Sequence, residues 1–269
     1  MLNVRSMCGT HDVFLMVIDT LRYDVAVREL TLGRTPNLRT LLGEAGWEKR
    51  HSPASFTYPA HHAFFAGFLP TPTTPGPHPR LIALEFPGSE SVGEATLVLD
   101  APNIVEGFAA KGYRTICVGG VGFFSKQNPL SRVLPGYFQE SHFSRETSVI
   151  EKYSTRNQVA LLVSRLSELP PERRHFTFLN VSALHQPNYF YLDGATEDSI
   201  ESHAAALRYV DSELPPLIDA LRRRGPVLAI VCSDHGTAYG EDGHVGHRVA
   251  HPVVWEVPYS ECVLAREGA

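Results

Sequence analysis

The sequence predicts an α/β protein with a mostly parallel central sheet and helices on both faces. Two continuous apolar runs of strand length, Val13 to Ile18 and Val227 to Cys232, have the pattern of strands that are buried on both faces. Segments with apolar residues at helical spacing lie between such runs. Repeated strand, helix, strand order requires crossovers and therefore favours parallel pairing. We expect a three-layer sandwich that forms one domain over residues 1–269.

Composition limits the class of protein. The chain has 269 residues and is 43% hydrophobic, which is enough for one sizeable core. Its net charge of -5 and the absence of a long basic run argue against a nucleic-acid partner. The first eleven residues do not resemble a signal peptide, and no apolar run approaches about 20 residues. We therefore expect a cytoplasmic protein with no membrane partner and with four reduced cysteines.

Local signals place the remaining elements in chain order. Thr35 precedes Pro36 as a helix cap, and this helix is expected to end near Gly43 or Gly46. The arginines at 222–224 are expected to close a long helix, because cations stabilise the negative end of the helix dipole. The proline-rich stretch 70–79 is interpreted as a rigid exposed connection. The other predicted elements are a helix at 103–111, a strand at 114–118, a helix at 156–168, a strand at 176–181 and a helix at roughly 199–223.

Polar residues follow two of the predicted strands directly. Asp19 ends the first apolar run, and Asp234 and His235 follow the last one. Because parallel strands direct their carboxyl ends to one edge of a sheet, we expect these side chains to meet there. An alternative is that Asp19 pairs with Arg22 or caps the next helix.

A hydroxyl group precedes a further helix. The segment Ser55-Phe56-Thr57-Tyr58-Pro59 sets Thr57 just before a helix that Pro59 is expected to begin. Free amides at a helix start bind anions, so Thr57 is a candidate nucleophile toward a phosphate or sulfate ester. The alternative is that Ser55 or Thr57 is a simple helix cap.

The segment Ser233-Asp234-His235-Gly236 combines a carboxylate, an imidazole and a glycine that is expected to let the backbone turn around a ligand. Mixed oxygen and nitrogen ligands suit zinc, or manganese, better than calcium. A divalent metal in contact with a threonine oxygen lowers its pKa and stabilises transition-state charge. The sequence therefore predicts a divalent-metal site, with zinc favoured.

Several motifs occur in one order, and together they resemble the alkaline phosphatase and sulfatase superfamily. Ile18 to Asp24 resembles the opening motif, Thr57-Tyr58-Pro59-Ala60-His61 with Gly67 and Pro70 resembles the nucleophile block, and the segment at 233–236 resembles the late metal motif. Three further segments sit where the superfamily places such residues: Thr35 to Leu38, Tyr209 to Asp211 and Glu256 to Pro258.

The resemblance implies an alkaline-phosphatase-like fold in which Asp19, Asp234 and His235 hold one metal, with Thr57 both contacting it and attacking the ester. Sulfatases carry an oxidised cysteine or serine at the position of Thr57, and many have a second acid at the position of Thr20. Both departures favour a phosphoric or phosphonic ester over a sulfuric ester. The length is similar to that of the compact bacterial sulfatase-like proteins, and it implies a chain without the usual C-terminal subdomain.

Histidines and loop residues supply further candidates. His247 resembles the superfamily's late histidine, which either binds a second metal or protonates the leaving group. His185 and Asn188 resemble a substrate-binding element, and His61 and His244 are further substrate-binding candidates. The sequence does not decide whether a second metal binds. Two other features stay open: the glycine turn at 119–122 as a tight turn or a phosphate site, and the aromatic run 189–191 as a pocket wall or packing. His203 is expected to lie on a helix face.

These inferences converge on a metal-dependent hydrolase that cleaves a small-molecule ester through a covalent Thr57 intermediate. Two alternatives remain at this stage. A transferase would use the same intermediate and pass the group to an acceptor other than water. A catalytically inactive protein would keep the fold and bind a metal without turnover.

Overall fold

A computed structural model of the chain describes residues 2–67 and 102–268. The proline-rich stretch at 70–79 lies outside these residues. Among the described helices, none is both long enough and apolar enough to cross a membrane. The elements are α1 Val4–Met7, β1 Asp12–Ile18, α2 Tyr23–Thr31, α3 Pro36–Leu42, β2 Glu48–His51, α4 Thr57–Ala66, α5 Ile104–Ala110, β3 Arg114–Val118, α6 Pro129–Gly136, β4 Glu140–His142, α7 Ser154–Glu168, β5 His175–Val181, α8 Ile200–Glu213, α9 Pro215–Arg224, β6 Val227–Cys232, β7 Ala238–Tyr239, β8 Val245–Gly246, α10 Pro252–Trp255 and β9 Glu256–Leu264.

The central sheet has seven strands in the order β2-β9-β6-β1-β5-β3-β4. The pairs that join β6, β1, β5, β3 and β4 are all parallel. Strand β9 pairs antiparallel with both β6 and β2 and so forms the antiparallel side of the sheet. The α/β class with a mostly parallel sheet, predicted from the apolar runs, is confirmed.

Strand β1 shows how the sheet builds a core on each face. Phe14, Met16 and Ile18 point to one face and join the cluster that contains the leucines of α3, α7, α8 and α9. Val13 and Val17 point to the other face, where aromatic residues of α4 and α5 pack. Since side chains alternate between the faces of a strand, one apolar run serves both cores. The result is the expected helix, sheet, helix sandwich.

The helix predicted at 199–223 is wrong as a single element. It is divided into α8 and α9, with Leu214 between them. Pro215 and Pro216 follow directly, and a proline inside a helix removes an amide donor and clashes with the preceding turn. The chain therefore ends one helix and begins another at the prolines. Arginines 222–224 do close α9, as expected from the helix dipole.

The cap predicted for α3 is also wrong, because a different side chain accepts the hydrogen bonds. Thr35 holds the cap position but makes no side-chain cap hydrogen bond. The carboxylate of Asp211 on α8 accepts instead, from the Leu38 amide at 2.6 Å and from the Asn37 side chain at 3.0 Å. A residue about 170 positions away thus caps α3, and it ties α3 to α8. Gly43 ends the helix as predicted, with a positive φ of 64°.

Candidate active site

Two neighbouring strands deliver three potential metal ligands to one point. Asp19 follows β1, and Asp234 and His235 follow β6, which pairs with β1 in parallel. One ligand atom from each of the three residues lies within 4.8 Å of the others. His235 Nε2 is 3.5 Å from Asp234 Oδ2 and 3.9 Å from Asp19 Oδ1. All three side chains are fully buried.

Helix α4 brings Thr57 to this cluster. Its Oγ1 donates toward Asp19 Oδ2 over 3.4 Å and lies 3.3 Å from His235 Nε2. Thr57 is the first residue of α4, so the helix begins two residues before Pro59 rather than at it. The extended Phe56 holds the cap position, and no side chain among the described residues caps this helix. The interpretation of Ser55 or Thr57 as a simple cap is therefore wrong, and the first amides of α4 keep their capacity to bind an anion.

The cluster has the charge and the donor set that a divalent metal requires. Asp19 Oδ1 and Asp234 Oδ2 are buried without a hydrogen-bond partner in the part of the chain that the structure describes. Burial raises the pKa of Asp234 to about 7, and burial together with the Asp234 charge raises the pKa of Asp19 to about 6. Two carboxylates in a dry site are costly unless a cation compensates them. Two carboxylates and an imidazole fit zinc or manganese.

The ring of His235 is oriented for metal binding. Its Nδ1 donates to the Gly236 carbonyl over 2.8 Å, which leaves the Nε2 lone pair directed toward Thr57 and the two carboxylates. Burial lowers the pKa of His235 and so favours the neutral imidazole, the form that binds metals. A hydrogen bond that fixes the tautomer in this way is typical of metal-binding histidines.

The interpretation that pairs Asp19 with Arg22 is wrong. Arg22 is nearly fully buried, and its guanidinium pairs with Asp24 and Glu241. Asn180 of β5 contacts Asp19 instead, since its Nδ2 donates to Asp19 Oδ2 over 3.2 Å. This leaves the Asp19 charge without a cationic side chain as a direct partner among the described residues, which agrees with a metal site.

The glycine turn at 119–122 is a structural turn held by the same asparagine. Asn180 Oδ1 accepts from the amides of Gly120 and Val121, each at 3.1 Å. A Cβ on Gly120 would lie 2.6 Å from both the Asn180 carbonyl oxygen and Ser182 Cβ. These amides already donate to Asn180, and neighbouring atoms leave no space beside Gly120. The alternative of a phosphate site at this turn therefore has no support.

Gly236 is required for a reason other than the predicted one. Its φ is not positive, so no left-handed turn demands a glycine. A Cβ at this position would overlap the backbone oxygen of Val253, and the Gly236 amide donates to the Val254 carbonyl. The glycine permits close approach of α10 to the strand end that carries the ligands.

Two of the candidate histidines lie beside the cluster. The rings of His235 and His247 are 4.7 Å apart, and the rings of His247 and His185 are 5.7 Å apart. Burial and the neighbouring His235 lower the pKa of His247 to about 3, so its ring is neutral near pH 7. A row of three imidazoles therefore extends from the ligand cluster toward the partly exposed His185.

The other three substrate-binding candidates do not face the cluster in the same way. His61 is fully buried, with its Nδ1 2.8 Å from the Thr57 carbonyl oxygen and 3.7 Å from Asp234 Oδ2, and phenylalanine rings pack around it. Asn188 is buried, and its side chain donates to the Leu184 carbonyl and to Tyr239. His244 is exposed beside His251. For Asn188 the geometry indicates a structural role, whereas His61 is buried directly beside the Asp234 carboxylate.

Sequence reasoning missed Asn180 and Arg248. Asn180 is the one amide side chain in the otherwise apolar run that ends β5. A polar residue in such a run is the sequence feature that could have identified it. Arg248 follows His247, and its backbone has a positive φ of 71° with the amide donating to the Ser55 carbonyl. Its guanidinium lies over the Phe56 ring at 5.3 Å and helps to lower the pKa of His235 and His247. Arg248 is thus a cation beside Ser55 and Phe56, the residues that directly precede Thr57.

This sheet topology, with a carboxylate and histidine cluster at its strand ends, defines the class as the alkaline phosphatase and sulfatase superfamily. The chain belongs to the sulfatase family, whose model matches residues 11–259. No curated protein sequence matches it.

Solved structures of several proteins share the fold at low sequence identity. The C-terminal periplasmic domain of phosphoethanolamine transferase EptC from Campylobacter jejuni has a TM-score of 0.60 at 14% identity, covering 93% of this chain and 78% of that one. The corresponding domain of EcEptC from Escherichia coli, in complex with Zn, has a TM-score of 0.64 at 13% identity, with 96% and 74% covered. A putative sulfatase, yidJ from Bacteroides fragilis, has a TM-score of 0.64 at 14% identity, with 94% and 68% covered.

Proposed function

We propose that the protein is a divalent-metal-dependent hydrolase of a small phosphoric or phosphonic ester, with Thr57 as the nucleophile. One observation carries this proposal: Thr57 Oγ1 lies 3.4 Å from Asp19 and 3.3 Å from His235, at the uncapped start of α4. A hydroxyl in a ligand cluster and beside free helix amides is placed both for activation and for attack on an anionic ester. A sulfuric ester is less favoured, because a threonine cannot supply the formylglycine of sulfatases.

Asp19, Asp234 and His235 would hold the metal. When bound there, a divalent ion lowers the pKa of the Thr57 hydroxyl and neutralises charge on the ester. The protein contributes orientation through Asn180, which fixes Asp19, and through the Gly236 carbonyl, which fixes the His235 ring. We propose zinc, and the Zn complex of the structurally similar EcEptC domain supports that choice.

The reaction has two displacements. Thr57 Oγ attacks phosphorus and loses its proton, the bond from phosphorus to the leaving oxygen breaks, and that oxygen takes up a proton. Water then attacks phosphorus and loses a proton, the bond to Thr57 Oγ breaks, and Thr57 Oγ takes up a proton. The His247 ring lies 4.7 Å from the His235 ring, so we propose on its position that His247 transfers the proton in one of these steps. Arg248 and the first amides of α4 would bind the ester's anionic oxygens.

A transferase that uses the same Thr57 intermediate is the second candidate. A structurally similar domain belongs to a phosphoethanolamine transferase, and this favours testing acceptors other than water. The two functions separate at the second displacement. Release of inorganic phosphate or a phosphonate in water indicates hydrolysis, whereas a product that appears only with an added alcohol acceptor indicates transfer.

The test combines metal analysis with aryl phosphate monoesters, phosphodiesters, phosphonate monoesters and sulfate esters. Zinc-loaded protein should turn over a phosphorus ester. The Thr57→Ala variant should keep its metal content and lose turnover by at least a factor of about 10³, as expected when a covalent step is removed. Thr196→Ala, which changes an exposed threonine, is the matched control. Bound metal without turnover of any ester would instead favour the catalytically inactive protein.

The cytoplasmic location stays a prediction. Fractionation of cells that produce the protein, with a cytoplasmic and an exported marker, measures it directly. Appearance in the exported fraction would contradict it.

A further inference from the structure

A cavity lies at the edge of the sheet opposite the candidate active site. Its volume is about 360 Å³, and it opens between the carboxyl ends of α7 and α9, next to Arg174 before β5 and Gly225 before β6. The candidate active site follows the other ends of these parallel strands. Strand β1 has seven residues at about 3.3 Å each, so roughly 20 Å separate the two sites. The cavity therefore does not belong to the ester-cleaving site.

The walls of this cavity combine apolar and cationic side chains. The apolar part comes from residues of α7 and α9 and from Leu169, which follows α7. Four arginines supply all the charge on the described lining residues, which include no aspartate or glutamate. The apolar residues are Val163, Leu166, Leu169 and Ala220, and the cationic ones are Arg174, Arg223, Arg224 and Arg266.

Two of the arginines make contacts within the protein that explain their presence. Arg224 donates to the carbonyls of Leu169 and Pro170, each at 3.0 Å, and so caps the end of α7 from α9. Arg174 lies 3.6 Å from the buried carboxylate of Asp12. These contacts need no ligand.

The other two arginines are exposed at the cavity and make no such contacts. Arg223 and Arg266 make no ion pair or side-chain hydrogen bond with any residue in 2–67 or 102–268, although they lie beside two further guanidinium groups. The carboxyl ends of α7 and α9 contribute only about half a negative charge each. Asp12 compensates Arg174, but the three remaining guanidinium groups exceed that charge, so the cavity carries a net positive field that favours an anion.

We propose that this cavity binds a small organic anion with an apolar body, in which a phosphate or carboxylate head group meets Arg223 and Arg266. The volume is at the lower end of the range of small-molecule sites, roughly 300 to 1,000 Å³. The head group pairs with guanidinium forks, which match the geometry of both phosphate and carboxylate. The apolar body lies against Val163, Leu166 and Ala220. A ligand with only a charged group, or with only an apolar body, would leave one part of the cavity lining without a partner.

Calorimetric titration of the full chain tests the proposal with four probes: octyl phosphate, octanoate, octanol and inorganic phosphate. At least one of the two amphiphilic anions should bind more tightly than octanol and inorganic phosphate by a factor of ten or more. The two anions distinguish a phosphate from a carboxylate head group. Equal binding of octanol would overturn the proposal, because it would show that charge is not recognised.

Three variants assign any binding to this cavity. The double variant Arg223→Ala with Arg266→Ala should weaken the preferred anion at least tenfold, and Ser167→Trp should weaken it by filling the cavity. Arg222→Ala is the control, because Arg222 is exposed on the same helix and does not line the cavity. Circular dichroism checks that each variant folds. Unchanged affinity in both the double variant and Ser167→Trp would place the anion elsewhere, in the ester site included, and would overturn the proposal.

Discussion

Asn180 donates to Asp19 across 3.2 Å and, through its other side-chain atom, accepts from the Gly120 and Val121 amides. One amide therefore connects the carboxylate of a candidate metal ligand to the turn that follows β3. Because both of its polar atoms are used, the orientation of Asn180 is fixed and it holds the Asp19 carboxylate in place.

Replacing Asn180 should weaken metal binding without removing a ligand. For Asn180→Ala we expect the zinc dissociation constant to rise by a factor of roughly 10 to 100, the usual cost of losing a hydrogen bond that orients a ligand. Competition with a fluorescent chelator measures it. Asn157→Ala is the control, since Asn157 contacts the Glu146 carbonyl far from the metal residues in sequence. Equal zinc affinity for the wild-type and Asn180→Ala proteins would contradict this role.

A methyl group at position 236 should destabilise the fold. The added Cβ of Gly236→Ala would overlap the Val253 oxygen, which belongs to backbone and cannot rotate away. We expect a loss of about 3 kcal/mol in the free energy of unfolding, measured by urea denaturation. Gly107→Ala is the matched control, because nothing lies within 4 Å of its Cβ position in α5. That variant should gain roughly 0.5–1 kcal/mol, and a similar loss in both variants would refute the steric account.

His62 should make stability depend on pH. Burial lowers the pKa of His62 to about 4, and neither ring nitrogen has a partner among the described residues. The unfolded chain, with a pKa near 6.5, binds the proton more readily, so stability is full above pH 6.5 and falls as the pH drops toward 4. The loss due to this residue is about 2 kcal/mol at pH 5.

The variant His62→Phe should remove that part of the pH dependence. Urea denaturation of wild type and variant at pH 7.5 and pH 5 gives the difference. Buried His175 and His203, whose pKa values burial lowers to about 3, leave a residual slope in both proteins. His244→Phe at the surface is the control. A pH dependence that is identical in wild type and His62→Phe would show that His62 does not carry this proton.

The sequence was sufficient to predict the parts of the fold that depend on local pattern and parallel topology. Strands β1 and β6 are unbroken apolar runs, and their ends bring Asp19 and Asp234 together because parallel strands end at one edge. The contacts that remained hidden are between distant residues. Asn180 and Asp19 are 161 positions apart, and Asp211 caps α3 from 173 positions away. No local pattern encodes such pairs.

The histidines show the same limit within the site. His61 and His235 both stand in recognised motifs, yet the His61 ring is enclosed by phenylalanine rings and contacts the Thr57 carbonyl, whereas His235 Nε2 lies beside the Thr57 hydroxyl. The difference comes from the elements that carry them: His61 lies one helical turn after Thr57 on α4, so its Nδ1 reaches the Thr57 carbonyl, whereas His235 follows β6 at the end of the sheet. Spacing alone gives residues of this kind equal weight, and only packing separates them.

The most direct test of the account is a search for a phosphorylated Thr57. Zinc-loaded protein would be mixed with a fast-reacting aryl phosphate, quenched in acid within milliseconds to seconds and measured by intact mass and peptide mapping. The account predicts one added phosphoryl group, located on Thr57 and missing from the Thr57→Ala variant. Turnover with no phosphoryl group on any residue, or with the group on a residue other than Thr57, would contradict the proposed mechanism.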